Sequence, residues 1–520
     1  MARPLDRFAL YPFLLAVFPV LSLLAANLAR LDPSDALRPL VLSLALTGVV
    51  WGAARLLMRT WDRAAALTAL LVVLFFLYGH AYAFFRTIPA LDDVLGRHRY
   101  LVLANAVVLV GAALVLRKRP PSPSFTRFLN IFALVAVGLS LAQVAWTVAR
   151  SWPQRAAPER PDPAAIPLAT PGEMPRPDID YIVLDAYTRQ DVLRDTFGYD
   201  NRPFLDALEA MGFVVADDSR SNYAVTRLSL PSSLNLDYLE AIGPPLDPAA
   251  TDAVWLDAAA RYSIVRRSLE AAGYTTVAFE SAYGMTDWTD ADVYLSRRPL
   301  ALSQARALGQ VTPFEVLLIQ TSAGRLLLDA PTWLNAALGT DLKTPHEQHR
   351  ERILFVLDGL ARMPEVPGPK FVFAHLMTPH PPYVFTADGG VAPDPAFFSL
   401  AVEQGQPAGL DPIEGYTSQV AFLNSRLLPV LRAILEQSPG EPIIVIQGDH
   451  GAVGVPPADR LKILNAYYLP PPVRGRAYDA ISPVNTFRLI FTYLGADLPL
   501  LPDRSFYSSL ERPFRLTPMP

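Results

Sequence analysis

Residues 222 to 235 read NYAVTRLSLPSSLN, a hydroxyl-rich stretch in a chain otherwise rich in Ala, Leu and Pro. Thr226 precedes a helix predicted over 228–239, in which Pro231 sits early enough to be tolerated near the first turn. An oxygen at such a helix start faces backbone N–H groups without intrahelical partners and the positive end of the macrodipole, which favour an alkoxide or a bound phosphate. Hydroxyls at helix starts also serve simply as caps, and Ser229, Ser232 and Ser233 read as structural groups of that kind. Three further places carry chemistry at the ends of apolar runs. DYIVLDAY holds Asp185, KFVFAHLM holds His375 and leads into TPHPPY with His380, and PIIVIQ leads into GDHG with Asp449 and His450. Carboxylates and imidazoles converging from separate strands on one sheet edge match a divalent metal site that lacks only an oxygen ligand. A threonine hydroxyl beside such a cation becomes a usable nucleophile without a neighbouring base.

The elements that must position these groups begin at Asp180. The runs DYIVLDAY, FVVADD, TTVAFE, KFVFAHLM and PIIVIQGD read as strands, and NRPFLDALEAMGF, SIVRRSLEAAGY, YTSQVAFLNSRLLPVLRAIL and TFRLIFTYLG read as helices. Ser482 or Asn485 is the expected start of the last helix. Such alternation predicts an α/β fold with a mostly parallel sheet between helices, and a site beyond the carboxyl ends of the strands.

Upstream, the composition changes. Charged residues make up 18% of the 520-residue chain, and mean hydropathy is positive, at +0.24, which points to a part lying in lipid. Five runs, 8–29, 39–54, 64–85, 100–116 and 128–149, contain no Asp, Glu, Lys or Arg. A membrane crossing needs roughly 20 such residues, so five spans are expected, the second only if it continues through Leu56, Leu57 and Met58. The basic residues Arg3, Arg7, Arg55, Arg59, Arg63, Arg117, Lys118, Arg119 and Arg127 place the N-terminus in the cytoplasm and everything after Arg150 outside it. The predicted division is therefore a five-span transmembrane domain over 1–150, a proline-rich linker over 151–177 and an extracytoplasmic catalytic domain over 178–520. A net charge of −4 gives no reason to expect nucleic acid as a partner. The absence of cysteine excludes disulfides, thiolate catalysis and Cys-ligated zinc.

Taken in order, the strand ending in Asp185, the Thr-x-x-Ser-x-Pro run of Thr226, Ser229 and Pro231, the histidine before Pro-Pro-Tyr and the Gly-Asp-His-Gly turn resemble the alkaline phosphatase superfamily. Within it, five spans followed by an external domain resemble the lipoteichoic acid synthases and the lipid A phosphoethanolamine transferases. The resemblance implies that Asp185, Thr226, Asp449 and His450 bind a metal, that Thr226 is also the nucleophile, and that His380 contacts the phosphate or leaving group. His375, Tyr383, Arg460 and Asn222 are further candidates for substrate contact, each also readable as an ordinary structural or surface residue. The chain departs from the family pattern in several places. Many relatives carry Glu where Asp185 stands. The sulfatase signature Cys-x-Pro-Ser-Arg is absent, and of the seven histidines (His80, His98, His346, His349, His375, His380 and His450) none follows His450. One divalent ion, Mn, Zn or Mg, is therefore expected rather than two. The activity so implied is a membrane-anchored, metal-dependent phosphotransferase of the bacterial inner membrane. It would move a phospho-headgroup from a phospholipid donor to an envelope glycan or lipid acceptor through phospho-threonine. A phosphodiesterase or phosphatase (sulfatase-like hydrolase) of the same fold, and a non-catalytic envelope binding protein, are the alternatives.

Overall fold

A computed structural model describes residues 8–27, 33–155, 164–168, 176–249, 254–281, 283–297, 313–329, 345–393, 411–509 and 512–520. The chain forms two compact units, one of Met1–Arg155 with Gln304–Pro345 and the other of Ala156–Ser303 with His346–Pro520.

The second unit is built on a seven-stranded sheet of β1 (Ile179–Leu184), β2 (Val214–Val215), β3 (Thr275–Phe279), β4 (Val293–Leu295), β5 (Lys370–Leu376), β6 (Ile443–Gly448) and β7 (Asn465–Tyr468), in the order β2-β7-β6-β1-β5-β3-β4. Strands β4, β3, β5, β1 and β6 are parallel, while β7 and β2 add an antiparallel edge. The expected α/β class is thus present as a mixed sheet. Every residue of β1 is buried, as a central strand covered on both faces requires, and this is why its sequence, Asp180 apart, is apolar on both faces rather than alternating. Alternate residues still serve opposite layers. Ile182 and Leu184 pack with Leu423, Leu427 and Leu431 of the helix Pro412–Gln437. Tyr181 and Val183 pack with Leu269 and with Phe487 and Leu489 of the helix Pro483–Tyr493. Each fully buried side chain of this size contributes about 1.5–3 kcal/mol.

Several local expectations are corrected. The FVVADD run yields only the two-residue β2, because it lies at the sheet edge with β7 as its one partner. Strands β4 and β7 are not foreseen: β4 is a three-residue edge segment, and β7, between β2 and β6, is the four-residue NAYY with no apolar run. The helix expected over 228–239 spans Thr226–Leu234, so Thr226 is its first residue and Pro231 lies in its interior. The helix start at Ser482 has no side-chain cap, since the Ser482 hydroxyl donates instead to Asp503 at 2.5 Å.

In the first unit, Ser34–Met58, Trp61–Arg86, His98–Lys118 and Pro123–Ala149 are long and apolar enough to cross a membrane by length and composition. The segment expected to be weakest does continue through Leu56 and Leu57 to Met58. The short apolar helix is the first one, Tyr11–Asn27, with 17 residues, so length supports four spans among the described residues rather than five. Within the segment Gln304–Pro345, the helix Pro313–Thr321 packs on these helices. Phe314 is fully buried with Val20, Leu24 and Ala36, and the backbone of Gln320 and Thr321 approaches Gly79 so closely that no side chain would fit there.

Candidate active site

The site begins with strand register. Leu184 is level with both Leu376 and Gly448, so the loops following β1, β5 and β6 leave the sheet along one edge. Asp185, the first residue past β1, donates its N–H to Leu376 O at 2.9 Å and accepts from the His380 N–H at 3.0 Å. The TPHPPY loop is thereby bound to the Asp185 turn. Ala186 follows with φ of 63°, a left-handed conformation that costs about 1–2 kcal/mol for a residue with a Cβ. Two bonds hold it there: its N–H donates to Asp449 Oδ1 at 3.0 Å, and its carbonyl accepts from the Tyr416 hydroxyl at 2.7 Å.

Asp449 Oδ1 also accepts the His450 N–H at 2.9 Å, whereas Asp449 Oδ2 and Asp185 Oδ1 are buried and make no hydrogen bond. His450 Nδ1 lies 2.8 Å from Gly451 O. A carbonyl can only accept, so Nδ1 carries the hydrogen and Nε2 presents a lone pair. That lone pair is 3.5 Å from Asp185 Oδ1 and 3.6 Å from Asp449 Oδ2. The Thr226 hydroxyl donates toward it from 3.3 Å. Because Thr226 is the first residue of its helix, its own N–H and that of Arg227 lie ahead of the helical ladder.

These atoms repel one another as they stand. One potential ligand atom from each of Asp185, Asp449 and His450 lies within 4.8 Å of the other two, and all three residues are buried. Burial alone would raise the Asp185 carboxyl, but the neighbouring imidazoles of His380 and His375 hold it well below the usual carboxylate range. Burial and the adjacent Asp185 charge push Asp449 upward. Burial and the Arg460 guanidinium lower His450 to about 3, which keeps its imidazole neutral and able to ligate. Two close carboxylates and a lone pair, with no hydrogen bonds of their own at the facing atoms, fit a divalent cation. Such a donor set is shared by several metals.

Of the other sequence candidates, His375 is buried in β5, with Nδ1 2.9 Å from Thr286 Oγ1 and Nε2 3.6 Å from Asp185 Oδ2. It stands behind Asp185. His380 bonds through Nδ1 to Pro381 O, and its ring centroid is 6.2 Å from that of His450. Arg460 reaches Ala224 O and Ala452 O, on the approaches to Thr226 and beyond His450. Two candidates lie elsewhere. Tyr383 packs into the apolar core with its ring against Gly415. Asn222 accepts from Val484 N–H at 2.8 Å and donates to Ser482 Oγ and Arg504 O at 3.0 and 2.9 Å, so its amide is fully engaged by the C-terminal segment. Ser232 and Ser233 likewise donate to the backbone, at Asp237 O and Ser229 O.

Other residues of the site were not foreseen. His349 Nε2 donates to Met377 O at 3.2 Å, and the His346 ring bonds the backbone of Tyr383, so two histidines one helical turn apart on Pro345–Leu360 brace the two ends of the His380 loop. Their i, i+3 spacing was visible in HEQH, but nothing in the sequence says what that face meets. Tyr416 and Thr286, which hold Ala186 and His375, carry no local signal at all.

No family model and no curated protein matches the chain. Solved structures do align with it. The C-terminal periplasmic domain of EcEptC from Escherichia coli, in complex with Zn, aligns at 12% identity and a TM-score of 0.41, over 68% of this chain and 96% of that one. The integral membrane lipooligosaccharide phosphoethanolamine transferase A (EptA) from Neisseria meningitidis aligns at 12% identity and a TM-score of 0.36, over 95% of each chain. A protein in the alkaline phosphatase superfamily from Vibrio parahaemolyticus aligns at 13% identity and a TM-score of 0.39, over 67% of this chain and 78% of that one.

Proposed function

We propose that the protein is a membrane-anchored phosphotransferase that takes a phospho-headgroup from a lipid donor onto Thr226 and passes it to an acceptor hydroxyl of the cell envelope. The catalytic unit works outside the cytoplasmic membrane. The observation that carries this reading is the Thr226 hydroxyl at the first position of its helix, 3.3 Å from a neutral His450 and beside two buried carboxylates whose facing oxygens lack hydrogen bonds. Asp185, Asp449 and His450, with Thr226 Oγ1, are the residues that would hold a divalent ion, which when bound supplies charge neutralisation and a lowered hydroxyl pKa.

The chain's own groups do the rest. Thr226 Oγ1, its proton given up to solvent, attacks phosphorus, forming the Oγ1–P bond as the bond to the donor alcohol breaks, and the leading N–H groups of its helix face the phosphoryl oxygens. His380 stands on the loop tied to Asp185 and is placed to give a proton to the departing oxygen. In the second step an acceptor hydroxyl passes its proton to His380 and attacks phosphorus, forming the new O–P bond as the Thr226 Oγ1–P bond breaks. Four apolar helices of spanning length support a donor drawn from the lipid phase, where a tethered site meets its substrate at high effective concentration. The test is release of diacylglycerol from vesicles of phosphatidylethanolamine and phosphatidylglycerol by the full-length protein. Release by wild type and its absence in Thr226→Ala are expected; release unaffected by the substitution would defeat the reading.

A further inference from the structure

The nucleophile and its metal-ligand neighbours sit on separate loops, Thr226 and His450 being 224 residues apart, and something must fix their separation. Arg460 is buried in the turn Asp459–Leu461. Its Nε donates to Ala224 O at 3.0 Å and its Nη1 to Ala452 O at 3.4 Å. Ala224 lies two residues before Thr226, and Ala452 two residues after His450. The main chain repeats the link. Arg460 O accepts the Gly451 N–H and Leu461 O accepts the Ser221 N–H, at 2.6 and 2.7 Å. A Cβ on Gly451 would lie 2.7 to 2.9 Å from the carbonyl oxygens of Asp459, Arg460 and Lys462, so the GDHG turn and this segment are in close backbone contact.

We infer that Arg460 is a positioning residue: its guanidinium ties the loop entering Thr226 to the loop leaving His450 and so sets the nucleophile against the metal ligands. This rests on the reading of Thr226 as nucleophile. The planar fork of arginine spans two carbonyls at once, which a lysine ammonium at the end of a flexible stem does not reproduce. A small displacement of a reacting group costs about a hundredfold in rate.

The experiment measures the rate of Thr226 adduct formation by rapid quench and intact mass, across donor-vesicle concentrations, for full-length wild type, Arg460→Lys and Arg460→Gln, with thermal unfolding recorded alongside. Both variants are expected to form adduct about a hundredfold more slowly with the half-saturating donor concentration unchanged. Arg460→Ala is expected to recover rate with added methylguanidinium and not with butylamine. Arg460→Lys at the wild-type rate would overturn the inference, as would a loss confined to the half-saturating concentration. If substitution prevents folding, Arg460→Ala is folded with methylguanidinium and then dialysed, and a rate that survives removal of the cation overturns the inference. Wild type forming no adduct would instead refute the proposed function, and the two failures are therefore distinguishable.

Discussion

A threonine hydroxyl in water is a poor nucleophile, and the chemistry proposed for this site depends on what surrounds Thr226. Retaining the hydroxyl should retain the chemistry. Thr226→Ser is expected to form adduct within about tenfold of wild type, and Thr226→Ala to lose roughly a thousandfold or more, measured by diacylglycerol release. A second residue-scale prediction concerns Asp180, at the opposite end of β1 from the site. Burial raises its carboxyl to about 7, the nearby Lys370 opposing and Asp178 adding to the effect, and its Oδ1 has no hydrogen-bond partner. An unfolded aspartate titrates near 3.9, so the folded chain binds the proton more tightly. Stability should therefore fall as pH rises from about 4 to about 7 and level off above that, each pK unit being worth about 1.4 kcal/mol. Asp180→Asn should remove that slope in urea titrations across pH while leaving activity intact. A slope that persists would show that another group is responsible. At this scale the sequence was informative where a residue type is rare in its setting: a carboxylate or imidazole ending an apolar strand stood out as Asp185, Asp449 and His450. For Asn222 and Tyr383 the sequence leaves substrate contact and a structural role both open, because polarity near a motif does not reveal that the C-terminal segment or the core will claim the group.

The elements contribute through register and backbone geometry. Level strand ends at Leu184, Leu376 and Gly448 bring three distant loops together, and the apolar runs that predicted β1, β5 and β6 are legible because a buried parallel strand has no polar side. Short edge strands and turn conformations are not. No pattern announces that Ala186 adopts a φ of 63°, since that strain is set by Asp449 and Tyr416, far away in the chain. Ala186→Gly should then be nearly neutral, the relieved strain offsetting the added freedom of the unfolded chain, whereas Ala186→Val should destabilise by more than about 1 kcal/mol in denaturant melts. Equal stability of the two variants would mean that the turn is not strained. The helix boundary at Thr226 was missed by two residues, because Val225 leads into it with no capping side chain to mark the start.

At the scale of the molecule, a segment from the C-terminal two-thirds of the chain belongs to the helical unit. Within that unit Arg38 pairs with Glu315 through both guanidinium and carboxylate ends, and His98 joins Tyr78 at 2.9 Å to Asp329 at 2.8 Å. Contacts this remote in sequence leave no periodic trace, so the predicted division at 178 could not register them. The chain has no cysteine, which makes engineered pairs clean reporters. Because Ala323 N–H donates to Phe75 O at 2.7 Å, Phe75→Cys with Ala323→Cys should crosslink in membranes, and adding Gly79→Leu, which fills the close approach to Gln320 and Thr321, should abolish the crosslink. Crosslinking that survives Gly79→Leu would contradict the docking of this segment. One covalent event, transfer of a phospho-headgroup to Thr226, is central to the proposed function, and intact mass spectrometry of the full-length protein after exposure to donor lipid vesicles tests it most directly. The expected result is a phospho-headgroup adduct localised to Thr226 that disappears on chelation and in Thr226→Ala. Turnover of donor lipid with an unmodified Thr226 at every quench time, or an adduct on a different side chain, would contradict it.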